Sequence, residues 1–167
     1  MIVVLMGVSG SGKTTVGRLL AQRLDCAFYE GDEFHPAANI EKMSKGIALT
    51  DNDRLPWLAD IKKTIDDCSQ RGLDAVIACS ALRKKYRCLL SENVADVQFV
   101  YLKGDYSTIR ERMSARDDHY MKPAMLESQF ENLEEPDNAI VVDINHSPKT
   151  IASQIEKEMA FIAGVKR

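Results

Sequence analysis

A chain of 167 residues, 45% hydrophobic and 28% charged, has the length and balance of one globular domain with a buried core. Its net charge of −3 argues against a general nucleic-acid binder, although a local cluster of Arg and Lys can still focus positive potential on a small anion. No apolar run approaches the ~20 residues of a membrane span. The first apolar run starts at Ile2 and is read as leaving no room for a leader peptide. Cys26, Cys68, Cys79 and Cys88 form no C-x-x-C pair, so free thiols in a reducing cytoplasm are expected.

Strand and helix signals alternate along the chain. Ile2 to Met6 is a β-branched apolar run and reads as a buried strand. A helix is predicted from about Lys13, with Val16, Leu19, Leu20 and Leu24 on one face. Ala27-Phe28-Tyr29 reads as a second strand ending at Glu30-Gly31-Asp32, and a polar stretch follows from Glu33 to about Arg54. Pro56-Trp57 opens a predicted helix that closes near Gly72. Ala75 to Cys79 is a third strand, followed by a helix carrying Leu82, Tyr86, Leu89 and Leu90. A fourth strand is expected over Val97 to Leu102, and helices over Tyr106 to about Arg116 and Ala124 to Leu133. Ala139 to Ile144 is the fifth strand, and Pro148 opens a last helix with Ile151, Ile155, Met159 and Ile162 on one face. The pattern predicts an α/β three-layer sandwich, a five-stranded parallel sheet with helices on both faces. Ligands of such sheets bind beyond the carboxyl ends of the strands.

The first strand-to-helix junction carries the most specific chemistry. Gly7-Val8-Ser9-Gly10-Ser11-Gly12-Lys13-Thr14 fits G-x-x-x-x-G-K-[ST], with Thr15 next. Glycines let the backbone turn its N–H groups toward phosphate oxygens, and the helix N-terminus adds partial positive charge. Lys13 is placed on the β- and γ-phosphates of a bound nucleotide and the Thr14 hydroxyl on Mg²⁺.

Residues after the other strands form the acceptor side. Asp32 is suited to accept a proton from a substrate hydroxyl, to position that hydroxyl, or to touch Mg²⁺. His35 is a candidate hydrogen-bonding partner for a polyol or carboxylate, or the cap of a turn. Arg54 is placed to grip a carboxylate or the transferring phosphoryl group. Lys42 taken alone is a surface charge, and Ser80 reads either as a site residue or as a helix cap. Arg83 is assigned to the acceptor and Arg87 to structure, while Trp57 reads as a core anchor. Arg112 and Arg116 lie one helical turn apart on the same face.

Three stretches together resemble the gluconate kinase family of small P-loop kinases. They are the loop at Gly7, the block from Gly31 through His35, Asn39, Lys42 and Asp51 to Trp57-Leu58, and Ala78 to Arg83 with Tyr86 and Arg87. Arg112, Arg116, His119, Tyr120 and Met121 continue the match, as do Ser128-Gln129-Phe130 and Leu133, Glu134 and Pro136. The resemblance covers nearly the whole chain. It departs at Thr14, where many members have serine, and at Asp118, where glycine is usual. It implies ATP-dependent phosphorylation of D-gluconate at its 6-hydroxyl, with Mg²⁺ as cofactor. It implies Lys13, Asp32, Arg54 and Arg116 as catalytic residues, with Arg112 and Arg116 closing over the triphosphate in a lid over approximately residues 110–135. Asp32, His35, Lys42, Arg54, Ser80, Arg83 and His119 would bind the acceptor. Members are commonly homodimers, but no segment of this chain marks a dimer surface.

Two rivals stand beside this reading. One is a kinase of the same architecture acting on shikimate or another sugar acid. The other is a nucleotide-dependent switch, against which the chain lacks an N-K-x-D guanine motif.

Overall fold

The computed structural model describes residues 1–115 and 123–165. Five strands form one parallel sheet: β1 (Ile2–Met6), β2 (Ala27–Glu30), β3 (Ala75–Ala78), β4 (Val97–Lys103) and β5 (Ile140–Asp143). Their spatial order is β2-β3-β1-β4-β5. The central strand β1 therefore has β3 on one side and β4 on the other, and successive connections diverge there. This is the switch point at which open parallel sheets leave a crevice for ligands.

All five residues of β1 are buried, as a strand covered on both faces requires. Their side chains alternate between two cores. Val3 and Leu5 pack with Val16 and Leu20 of α1 (Lys13–Leu24), Ile109 of α5 (Tyr106–Ser114), and Ile151 and Ile155 of α7 (Pro148–Val165). Ile2, Val4 and Met6 face Trp57, Ile61 and Ile65 of α3 (Asp51–Gln70), with Tyr86 and Leu90 of α4 (Lys84–Ser91). The two remaining helices are α2 (Ala37–Ser44) and α6 (Pro123–Asn132). All four cysteines are free. No helix among the described residues is long and apolar enough to cross a membrane.

The expected α/β sandwich is observed, with differences concentrated between β2 and β3. The polar stretch after Glu33 contains α2, preceded by a 3₁₀ turn over Gly31–Phe34. Helix α3 begins at Asp51, so Pro56 lies inside it rather than opening it. A capping box explains the earlier start: the Thr50 side chain accepts from the Asp53 amide, and Asp53 accepts from the Thr50 amide. On the other side of β3, Arg83 is the N-cap of α4, not a residue of its first turn, and it makes no side-chain cap.

Gly31 closes β2 against β3. A Cβ there would lie 2.1 Å from the Ala78 carbonyl oxygen, and the Gly31 carbonyl accepts from Trp57 Nε1 at 2.7 Å. Neither strand can yield without losing sheet pairing. Gly31→Ala should therefore destabilise by ~1–3 kcal/mol and lower the melting temperature by roughly 2–12 °C. An unchanged thermal melt would show that the β2–β3 junction has more room than its geometry allows.

Candidate active site

The N-termini of α1 and α3 are built differently. Helix α3 satisfies its first turn from within, through Thr50 and Asp53, and carries Asp51 and Asp53 near its start. Helix α1 has neither a side-chain cap nor an acidic residue in its first turn. Its N-cap is Gly12, held at φ 94, a left-handed conformation that a side chain would strain. A Cβ on Gly12 would meet nothing within 4 Å, so the approach to these amides is open. Orphan N–H groups, an open approach and the helix dipole together make an anion site. Ser11 is 1% exposed, and its Oγ has no hydrogen-bond partner among the described residues. This orphaned donor fits a loop that completes its bonding on a phosphate-bearing ligand.

Lys13 stands at the same place. Its Nζ donates to the carbonyl oxygens of Gly7 and Val8, both at 3.0 Å, and forms no ion pair among the described residues. Desolvation pulls its pKa below the ordinary lysine value, against the attraction of Asp32, Cys79 and Glu30. The ammonium is thus held in position without a matched anion. The neighbouring Cys79 thiol is pushed by burial up to about 12 and stays protonated at neutral pH.

A cavity of about 180 Å³ opens beside the loop. Lys13, Asp32, His35, Arg54, Trp57 and Ser80 supply most of its polar and aromatic lining. Leu49, Leu82 and Met125 contribute apolar wall, and Ser9 and Gln129 close one side. Gln129 ties α6 to the loop: its Oε1 accepts from the Ser9 amide at 2.7 Å, and its Nε2 donates to Ser9 Oγ at 3.1 Å. The Asp32 side chain is exposed to the cavity and takes no hydrogen bond from another described residue. Ser80 is carried there by the turn after β3. The buried Arg87 holds that turn, donating to the Ala81 and Leu82 carbonyls at 3.0 and 3.1 Å across the left-handed Ala81 at φ 43.

His35 is fixed by its neighbours. Its ring stacks on Trp57 at 4.3 Å between centroids and 13° between planes. Asn39, buried in α2, bridges to it: Nδ2 donates to the Asp53 carbonyl at 2.8 Å and lies 3.3 Å from His35 Nδ1. An amide N–H at Nδ1 leaves Nε2–H as the donor of the neutral ring. Desolvation lowers the His35 pKa from 6.5, opposed by Asp32 and assisted by Arg54. The ring is therefore a neutral hydrogen-bonding group at neutral pH, not a cationic anchor. Because the folded pKa is depressed, the unfolded chain binds more protons as pH falls through 6.5, and stability drops there. A proton NMR titration of His35 should give a midpoint below 6.5. A midpoint at or above that value would contradict the neutral assignment.

Other sequence-derived candidates lie elsewhere. Lys42 does not line the cavity; its Nζ donates to both Asp53 carboxylate oxygens, at 2.7 and 2.9 Å. Arg83 pairs with Asp51 at 3.4 Å and donates to Asn132. Arg112 donates to the Ile144 carbonyl at 2.6 Å, at the end of β5. Arg116, Asp118, His119, Tyr120 and Met121 lie outside the described residues. That leaves Arg54 as a guanidinium on the cavity with no ion pair among the described residues. Glu30, to which sequence reasoning gave no role, accepts from Thr14 Oγ1 at 2.6 Å. Its only signal was its place as the last residue of a strand beside the loop.

Among the described residues, no group of three or more His, Cys, Asp or Glu converges to hold a metal ion. Mg²⁺ in a kinase site needs no such cage, because one or two protein oxygens and the substrate phosphates complete its shell. The Thr14 hydroxyl beside the Glu30 carboxylate fits that requirement.

Residues 9–160 match the family model described as shikimate kinase. The chain is 43% identical over 163 residues to the thermosensitive gluconokinase of Escherichia coli (strain K12), spanning 95% of this chain and 87% of that one. It is 45% identical over 160 residues to the thermoresistant gluconokinase of the same organism, spanning 93% and 91%. The chain belongs to the gluconokinase family. A crystal structure of a gluconokinase from Sinorhizobium meliloti 1021 superposes with a TM-score of 0.82 at 39% identity, covering 95% of each chain. The shikimate kinase model spans most of the chain, and curated gluconokinases align over nearly all of it, so the two findings nest. Membership of the gluconokinase family makes this chain a nucleotide-using kinase with a small-molecule acceptor.

Proposed function

We propose that this chain transfers the γ-phosphoryl group of ATP to the 6-hydroxyl of D-gluconate, giving 6-phospho-D-gluconate and ADP. One observation carries the chemistry: Lys13, at the open N-terminus of α1, and Asp32, unpartnered among the described residues, line one cavity. The choice of acceptor rests on the gluconokinase relatives. The loop amides and Lys13 hold the triphosphate. Asp32 orients the acceptor hydroxyl and takes its proton as the new O6–P bond forms and the bond from Pγ to the β–γ bridging oxygen breaks. The neutral His35 and Ser80 hydrogen-bond the polyol chain, and Arg54 anchors the carboxylate at its far end. Thr14, with Glu30 beside it, would hold Mg²⁺, which would supply neutralising charge at the phosphates. Arg112 and Arg116 are assigned to ATP and His119 to the acceptor, within a lid segment of approximately residues 110–135. The whole chain acts as one kinase domain in the cytoplasm.

A coupled assay of ADP release across a panel of acids tests this. Gluconate should stimulate turnover well beyond shikimate and other sugar acids. If shikimate served as well as gluconate, the acceptor assignment would fail while the phosphoryl-transfer reading stood.

A further inference from the structure

Asp51 and Arg54 both sit in the first turns of α3, three residues apart, where opposite charges ordinarily meet. Here they do not. Tyr86, from α4 and 5% exposed, stands between them. Its hydroxyl donates to Asp51 Oδ1 and accepts from Arg54 Nη1 at 3.5 Å. Its ring also backs the guanidinium, 5.9 Å from centroid to Cζ. The direction of this chain is fixed by chemistry. Arginine can only donate, and an ionised carboxylate can only accept, so the phenol must give its proton to Asp51. Lys85 and Arg83 hold Asp51 ionised from its other side, with the carboxyl drawn down to about 2 by Lys85 and Tyr86. Arg54 is thereby oriented by an acid without being neutralised by it.

We propose that Tyr86 is a positioning residue for acceptor recognition: its phenol, clamped by Asp51, keeps Arg54 aimed into the cavity and free to bind the carboxylate of the sugar acid. This rests on Arg54 being the carboxylate anchor. Removing the hydroxyl leaves the ring in place but lets Arg54 swing toward Asp51, where its charge is spent.

The test compares gluconate with gluconamide, its uncharged amide, in the wild type, Tyr86→Phe, Arg54→Ala and the double variant. Tyr86→Phe should raise KM for gluconate about tenfold, the scale of one hydrogen bond to a charged group. KM for ATP should stay within about twofold, and KM for gluconamide should change little. In the Arg54→Ala background the Tyr86→Phe effect should vanish. An equal effect with and without Arg54, or none on gluconate in a folded variant, would overturn the proposal. Wild-type enzyme that used gluconamide as readily as gluconate would overturn Arg54 as the anchor and this proposal with it. A Tyr86 variant that matched wild type on both acceptors would overturn only the role of Tyr86. Should Tyr86→Phe fold poorly, Asp51→Asn loosens the same clamp from a partly exposed position, and the same comparison decides.

Discussion

Replacing Lys13 with alanine should reduce kcat/KM by about 10²–10³-fold, the scale seen when one pre-positioned donor to a developing charge is removed. The structure explains why the loss should be catalytic and not structural. Lys13 is held by two backbone carbonyls and has no carboxylate partner among the described residues. Its depressed pKa means that the fold resists the charged form. For a lysine that sign is destabilising: the cost is fully present below the folded pKa and is relieved only as pH rises toward 10.5. At neutral pH the alanine variant should therefore keep a cooperative melt close to that of the wild type without nucleotide. Adding ATP should then raise the melting temperature of the wild type more than that of the variant. Near-normal turnover in the coupled assay would contradict the loop assignment. A collapse of the nucleotide-free melt would mean that Lys13 supports the fold instead.

Much of this was legible in the sequence, for reasons that can be named. Buried parallel strands are continuous apolar runs, so β1 and β3 announce themselves, and the phosphate loop is a contiguous motif in a fixed strand-to-helix context. The segment between β2 and β3 was harder. Helix α2 exposes Ile40 while burying the polar Asn39, so it lacks the apolar stripe that marks a surface helix. The start of α3 was written in Thr50-x-x-Asp53, but Pro56 is the stronger punctuation and pointed to a later opening. Side-chain commitments were least visible. Lys42, Arg83 and Arg54 are all cations on the acceptor side of the sequence. Only the folded chain pairs the first with Asp53 and the second with Asp51, leaving the third on the cavity. Likewise Glu30 meets Thr14 across 16 residues, a contact that depends on strand register and not on any local pattern.

Asp32→Asn should lower kcat by about 10²–10⁴-fold, the range for a positioned general base, while leaving ATP affinity close to that of the wild type. The side chain follows β2 in the 3₁₀ turn that starts at Gly31, and that turn is pinned twice, by Trp57 on the Gly31 carbonyl and by the close approach of Gly31 to Ala78. A carboxylate so placed has a fixed origin but no partner of its own among the described residues, which suits a group whose partner is the substrate. Asparagine keeps the size and the hydrogen-bonding oxygen but cannot take a proton at neutral pH. The variant therefore separates positioning from proton transfer: if positioning alone mattered, most activity would survive. ATP affinity can be read independently by calorimetry, because Lys13 is held by the Gly7 and Val8 carbonyls and owes nothing to Asp32 beyond electrostatics. A loss confined to ATP affinity, with turnover preserved at saturating nucleotide, would move Asp32 to the nucleotide side. Glu30 would then have no evident division of labour from its neighbour two residues on. If kcat falls alone, the division stands: Glu30 accompanies the threonine hydroxyl, and Asp32 serves the acceptor.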